Sequence, residues 1–182
     1  MSARARGARR VSLCVALLGA CGGEAPEGDP AANGSFIALD RDFQGFRAWT
    51  RYAIGSEPLE GHAEGPRFVY ANRPVPEAGG SYPVGTILVK TVEVDEDPTR
   101  WEIFAMVKRG GTFNAAGATG WEYFRLRFAD ATAVVIAGRG LSPTDNGARI
   151  YGPAGTGCNL CHGATVRGSD HVLSPPLVPG AR

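Results

Sequence analysis

The chain has 182 residues, 43% of them hydrophobic, and a formal net charge of +1 at pH 7. This length and composition fit one compact domain with a leader and a tail. A net charge so close to zero gives no basis for nucleic-acid binding, so nucleic acid is not an expected partner.

The first twenty residues have the parts of an export signal: a basic start, an apolar stretch and a small-residue end. The apolar stretch, residues 11–20, is too short to span a bilayer. It ends in a sequence that resembles the lipobox of a bacterial lipoprotein, Leu18-Gly19-Ala20-Cys21. We therefore predict a lipoprotein signal peptide over residues 1–20 and lipidation of Cys21; an ordinary secretory signal is the alternative. Because Gly22 rather than an aspartate follows, we expect an outer-membrane lipid anchor in a bacterial cell envelope, facing the periplasm.

Two segments follow the signal. Residues 21–35 are rich in Gly, Ala, Pro and Glu and have hardly any large apolar side chain, which predicts a flexible tether. Residues 36–182 are expected to form the folded domain. It opens with a predicted N-terminal helix that Asp40 caps and that ends by Gly55, because apolar and small residues recur at helical spacing: Phe43, Phe46, Thr50 and Ala53.

Beyond this helix the pattern is that of β-strands joined by Gly- and Pro-rich turns. Strands are predicted at residues 67–70, 86–94, 101–108 and 121–128, whereas residues 131–137 fit either a strand or a short helix. Alternation in the second of these strands puts Lys90 on the same face as Leu88 and Val92. The predicted fold is mainly β (α+β): an antiparallel sheet with an N-terminal helix and a loop-rich C-terminal segment.

That C-terminal segment carries the motif C-x-x-C-H, as Cys158-Asn159-Leu160-Cys161-His162. This is the attachment signature of haem c, in which two cysteines bond to one porphyrin and the histidine ligates the iron. Zinc would need two more ligands at similar spacing, and the only other cysteines, Cys14 and Cys21, lie at the N-terminus. A thioredoxin-like motif would need a βαβ pattern. We therefore predict one covalent haem c per chain, held by Cys158 and Cys161, with His162 as the metal ligand.

The late position of the motif bears on the sixth iron ligand. No methionine follows His162, and Met106 falls within a predicted strand, so a low-spin His/Met electron carrier is disfavoured. His62 and His171 remain as candidate sixth ligands or distal hydrogen-bonding groups. Without such a ligand the iron has an open face, which binds small molecules.

From about residue 46 to residue 177 the chain resembles the cytochrome P-460 family and its relative, cytochrome c-prime-beta. The resemblance rests on the order and spacing of short motifs around C-x-x-C-H: Phe46-Arg47-Ala48-Trp49, Arg67-Phe68-Val69-Tyr70, Tyr82-Pro83-Val84-Gly85-Thr86-Ile87-Leu88-Val89-Lys90, Met106-Val107-Lys108, Gly120-Trp121 and Asp170-His171-Val172-Leu173. It implies a predominantly β domain with one high-spin haem, in a family whose members are often dimers.

The resemblance implies roles for two matching positions. The lysine that is cross-linked to the haem macrocycle falls at Lys90, and the distal arginine falls at Arg67. An inward-facing lysine also favours the neutral, nucleophilic amine, because burial penalises the ammonium. The alternatives are a Lys90 that reaches water beside an unmodified haem and an Arg67 in a surface salt bridge. His62 and Glu64, just upstream of Arg67, are candidate proton relays.

Two functions follow from these expectations. In the first, the haem protein oxidises hydroxylamine or nitric oxide, with Lys90, Arg67, Glu64 and His62 as catalytic residues, and passes electrons to a periplasmic electron-transfer partner. In the second, an unmodified five-coordinate haem binds or senses nitric oxide or carbon monoxide, as cytochrome c-prime-beta does. Simple electron transfer is less favoured. The expected partners are thus a small nitrogen ligand and, through the lipid anchor, a membrane; exposed edge strands would also permit a homodimer.

Overall fold

The computed structural model describes residues 34–57, 62–77, 79–152, 157–164, 169–174 and 177. The predicted signal peptide and the lipidation site Cys21 lie outside the described residues, and so does almost all of the predicted tether. Within the described ranges, no helix is long and apolar enough to cross a membrane.

Seven strands form one sheet, in which each strand lies beside the next one along the chain. They are β1 (Thr50–Gly55), β2 (Arg67–Ala71), β3 (Ile87–Val92), β4 (Glu102–Lys108), β5 (Trp121–Phe128), β6 (Val134–Gly140) and β7 (Arg149–Ile150). The first six run antiparallel to their neighbours, and the short β7 runs parallel to β6. The prediction of a mainly β fold is confirmed, but the sheet is mixed rather than wholly antiparallel.

The alternation of side chains along the strands gives the sheet two different faces. On β4 every second residue is buried, at Ile103, Ala105 and Val107, and the residues between them are partly exposed. We call the face that holds these three residues the core face. The opposite face, which holds Leu88, Lys90 and their cross-strand neighbours, is called the motif face. The predicted alternation around Lys90 is confirmed.

The core face is covered by two short 3-10 helices, Asp40–Phe43 and Phe46–Ala48. Phe43 from the first packs on Phe124 of β5, with ring centroids 5.2 Å apart, and Phe46 from the second packs edge-on against Tyr70 of β2, also at 5.2 Å. Together with the strand residues they form one buried cluster, which also includes Ile87, Val89, Ile103, Ala105, Val107, Leu126, Phe128 and Val134.

The predicted N-terminal helix from Asp40 to Gly55 is not confirmed. Gly45, between the two 3-10 helices, has a φ of 66°, a left-handed conformation that interrupts a right-handed helix. The segment from Thr50 then pairs with β2 as strand β1, so Tyr52 is buried, whereas Thr50 and Ala53 are exposed. The spacing of the phenylalanines was a true burial signal, but a spacing of three residues suits a 3-10 helix as well as an α-helix.

The C-x-x-C-H motif lies on a short helix, α1 (Cys158–Ala164), rather than in a loop. Its anchor is Asn159, which is only 1% exposed. The Asn159 side chain exchanges two hydrogen bonds with Asn114, at 2.7 and 3.1 Å, and its oxygen also accepts from the Ala118 backbone N–H. A side chain at Gly117 would collide with Asn159, so this glycine allows α1 to sit against the connection between β4 and β5.

Candidate functional site

Helix α1 presents the two cysteines of the motif differently. Cys158 is partly buried and packs against the apolar cluster of the motif face, whereas Cys161 is exposed. Neither forms a disulfide bond with another described residue. Burial raises the pKa of the Cys158 thiol to about 11. Redox-active cysteines have a depressed pKa, so this environment does not favour thiol–disulfide exchange at Cys158.

The histidine of the motif is oriented by the backbone. His162 Nδ1 lies 2.7 Å from the carbonyl oxygen of His171, so Nδ1 carries the proton and donates it, which leaves the lone pair of Nε2 free for a metal. Burial lowers the pKa of His162, which favours the neutral ligand form. The ring also packs against Tyr123 of β5, at a centroid distance of 5.2 Å.

The ring of His171 makes the reciprocal contact with the backbone of His162. Its Nδ1 lies 2.9 Å from the carbonyl oxygen of His162, so the two residues hold each other through reciprocal hydrogen bonds. His171 therefore lies beside His162 rather than across a metal from it. Of the two histidines considered as distal groups, this arrangement leaves His62.

Lys90 and Arg67 lie on the motif face, on neighbouring strands. Lys90 is directly opposite Val69 and Phe104, and Arg67 is opposite Val92. Burial lowers the pKa of Lys90 to about 8; the positive charge of Arg67 lowers it further, and the negative charge of Glu102 opposes this. The inward orientation predicted for Lys90 thus has the expected effect on its amine.

Arg67 is only 5% exposed, so a surface salt bridge does not describe it. Its Nε and Nη2 atoms are buried without a hydrogen-bond partner among the described residues. Leaving charged donors unpaired costs free energy, and such groups in native proteins generally meet a ligand, an ion or water. A second orphaned group, the Tyr123 hydroxyl, is buried on the same face.

His62 contacts the carboxylate of Glu102. Its Nδ1 lies 3.0 Å from Glu102 Oε1, and the Ala63 backbone N–H donates to Oε2 of the same residue at 3.2 Å. Burial raises the pKa of Glu102, but these hydrogen bonds outweigh it and hold the pKa below its usual value. Glu64 is exposed to solvent.

Four side chains from separate parts of the chain therefore meet on the motif face, beside α1: Arg67, Lys90, Glu102 and His62. The charge of Lys90 influences both Cys158 and His162, and His62 also influences His162, so this cluster and the motif share one electrostatic environment. We call these four residues the polar cluster.

No protein-family model, curated protein or solved structure gives a significant match to this chain. Within the described ranges, no group of three or more His, Cys, Asp or Glu side chains is arranged to hold a metal ion.

The residues at this site fit a covalently bound haem. Two cysteines that form no disulfide among the described residues lie on α1, next to a neutral histidine whose Nε2 is available. The face that α1 covers is apolar and aromatic around Leu88 and Tyr123, as a porphyrin requires. The orphaned donors of Arg67 match the carboxylates or the iron ligand of such a group.

The sequence missed Glu102 and Tyr123 as residues of this site. Both alternate onto the motif face, since Glu102 precedes Phe104 by two residues and Tyr123 is opposite Met106. Extending the alternation argument from Lys90 to the neighbouring strands would have placed them there. Only the fold, however, brings Glu102 to His62, which is 40 residues away in the chain.

Proposed function

We propose that the chain is an exported mono-haem c protein whose iron keeps one open face and acts on small nitrogen species, oxidising hydroxylamine. One observation carries this proposal: α1 presents His162 to the face of the sheet that holds Lys90 and the unpaired Arg67. In this proposal Cys158 and Cys161 bond to the haem, and His162 ligates its iron. The C-terminal segment is thus the haem c segment of a cytochrome P-460-like domain.

The overall reaction defines what the polar cluster must do. Oxidation of hydroxylamine and water to nitrite releases four electrons and five protons; oxidation of two hydroxylamines to nitrous oxide and water releases four of each. The bound haem supplies an iron that accepts electrons from the substrate. The electrons leave to a periplasmic electron-transfer partner, and the protons need acceptors among the side chains of the site.

The described side chains suit these tasks. The Arg67 guanidinium has free donors to orient the oxygen of a small ligand. His62 is held by Glu102, so its ring can take up a proton at Nε2 while the carboxylate stabilises the resulting imidazolium. Glu64, which is exposed two residues after His62, would exchange that proton with solvent.

Lys90 would be cross-linked to the haem macrocycle. The bond joins Nζ to a ring carbon and removes one hydrogen from each, so its formation needs a two-electron oxidant such as a peroxide during maturation. A pKa of about 8 makes the required neutral amine accessible near neutral pH. The cross-link would distort the ring and so alter its electronic properties.

A second function is favoured by a different observation. The direct neighbours of Lys90 across the sheet are the apolar Val69 and Phe104. Apolar side chains suit uncharged diatomic ligands, so an unmodified haem beside them would bind or sense nitric oxide or carbon monoxide without turnover. In both cases we place the protein on a lipid anchor at Cys21, in the outer membrane facing the periplasm.

An intact mass and a ferrous absorption spectrum of the purified protein separate the two functions. The enzyme predicts a mass equal to chain plus haem minus two hydrogens, a red-shifted ferrous Soret band, and electron transfer from hydroxylamine to a dye. Lys90→Met should restore an ordinary haem c spectrum. A wild-type protein with an unshifted band, a full-haem mass and no turnover would support the gas binder instead.

A further inference from the structure

The hydrogen bond that orients His162 depends on a turn with an unusual backbone. Asp170 and His171 have φ angles of 47° and 66°, in the left-handed region that residues other than glycine rarely occupy. Two such residues in succession persist only where surrounding contacts impose the conformation. The carbonyl that accepts from His162 Nδ1 belongs to the second of them.

Asp170 supplies those contacts. Its carboxylate accepts two hydrogen bonds from Lys108 Nζ, at 2.7 and 2.9 Å, and one from the Tyr82 backbone N–H at 2.9 Å. Its backbone carbonyl accepts from Trp121 Nε1 at 2.8 Å. Lys108 and Trp121 stand opposite each other on β4 and β5, so the turn is fastened to the sheet itself.

The ion pair between Lys108 and Asp170 is shielded from water. The side chains of Lys108 and Asp170 are each only 12% exposed, and Lys108 Nζ also lies 4.9 Å from the centre of the Trp121 ring. A charge pair in this setting holds its geometry better than an exposed one, because competing water is scarce. The turn is therefore held at a fixed position relative to α1.

We propose that Asp170 is a positioning residue for His162: through Lys108, Tyr82 and Trp121 it fixes the His171 carbonyl, which sets the tautomer and the ring orientation of the histidine. This inference rests on the proposed function, because it concerns His162 as an iron ligand. A carbonyl held close to Nδ1 makes the imidazole a more basic ligand and so favours the oxidised iron.

The test uses Asp170→Asn in the full, haem-loaded chain. Asparagine also tolerates the left-handed conformation and can still accept from Tyr82, so the change removes mainly the charge pair with Lys108. We expect haem to remain attached, the iron–histidine stretching frequency in the ferrous resonance Raman spectrum to fall, and the reduction potential to rise. Lys108→Met removes the same pair from the other side and should shift both quantities in the same direction.

The matched control is Asp145→Asn, which removes the ion pair between Asp145 and Arg125. The Asp145 side chain is 67% exposed. It should leave the stretching frequency and the potential unchanged. If the wild-type protein carries haem but neither Asp170→Asn nor Lys108→Met changes these quantities, the positioning role is wrong and the proposed function stands. If the wild-type protein carries no covalent haem, the proposed function fails and this inference fails with it.

Discussion

Each face of the sheet holds a deeply buried charged side chain, Glu122 on the core face and Arg67 on the motif face, and the two differ in their partners. On the core face, Glu122 is 0% exposed and fully paired: Arg139 donates to its two oxygens from Nε and Nη2, each at 2.8 Å, and the Tyr151 hydroxyl donates at 2.7 Å. On the motif face, Arg67 is almost as buried, but two of its nitrogens have no partner among the described residues.

This difference separates a buried charge that contributes to stability from one that is available to a ligand. A satisfied ion pair whose guanidinium packs on the Phe124 ring contributes a fixed geometry and leaves no polar group that requires a ligand. An unpaired guanidinium beside a lysine of lowered pKa lowers the stability of the fold. A ligand that pairs with these groups would recover that free energy, so such a pair indicates a binding site. We therefore assign stability to the core face and chemistry to the motif face.

The largest effect should come from breaking the paired charge. Glu122→Gln leaves the Arg139 guanidinium buried without its counter-charge, and we expect the free energy of unfolding to fall by about 3 kcal/mol. Urea denaturation followed by tryptophan fluorescence measures this. Asp95→Asn is the control, since its partner Arg100 has a 68% exposed side chain, and it should cost about 0.5 kcal/mol or less. Equal losses in the two variants would contradict the assignment.

The corresponding change on the motif face should separate stability from function. Arg67→Met replaces an unpaired cation with an unbranched apolar side chain, so we expect the free energy of unfolding to stay within about 1 kcal/mol of wild type. Hydroxylamine oxidation should fall by about a hundredfold, because the oriented donor is lost. Arg127→Met, at an exposed position on the same sheet, should change neither quantity. A strongly destabilised Arg67→Met with normal turnover would reverse the comparison.

A smaller effect is expected from the carboxylate that holds His62. Glu102→Gln keeps the side-chain volume but removes the negative charge that stabilises a protonated imidazole, so the turnover number should fall by about tenfold. Nitric oxide affinity should change little, since gas binding needs no proton acceptor. Glu64→Gln is the matched control because Glu64 is exposed, and it should lower turnover less than Glu102→Gln does.

The smallest effect is expected in the dependence of activity on pH. An unmodified Lys90, with its pKa lowered to about 8, is protonated below that pH and becomes a neutral amine as the pH rises through it. If the neutral amine takes part directly, activity increases through pH 8 and this increase disappears in Lys90→Met. A cross-linked Lys90 has no free ammonium to titrate, so our first function predicts no such increase in the wild type.

The sequence was informative where a local pattern decides the structure. Alternation along β3 was enough to put Lys90 on an inward face, and the C-x-x-C-H spacing marked the motif before any fold was known. It failed between Asp40 and Gly55, because the spacing of Phe43 and Phe46 fits two helix types, and because pairing with β2 overrides helix propensity from Thr50 onward.

Contacts between distant segments could not be read in this way. His62 meets Glu102, and Asn114 fastens Asn159, only because the strands between them have a particular register. Nothing in the local sequence around either pair indicates its partner. The polar cluster is therefore visible only in the structure, although the sequence alone indicates three of its four members as candidates: Arg67, Lys90 and His62.

The most direct test of the central claim is the intact mass of the exported full chain, measured with its pyridine haemochrome spectrum after expression in a host that matures c-type cytochromes. We predict one covalently attached haem per chain, lost when both motif cysteines are replaced in Cys158→Ser/Cys161→Ser. A wild-type chain exported with a bare polypeptide mass and no haemochrome band would contradict the assignment of chemistry to the motif face.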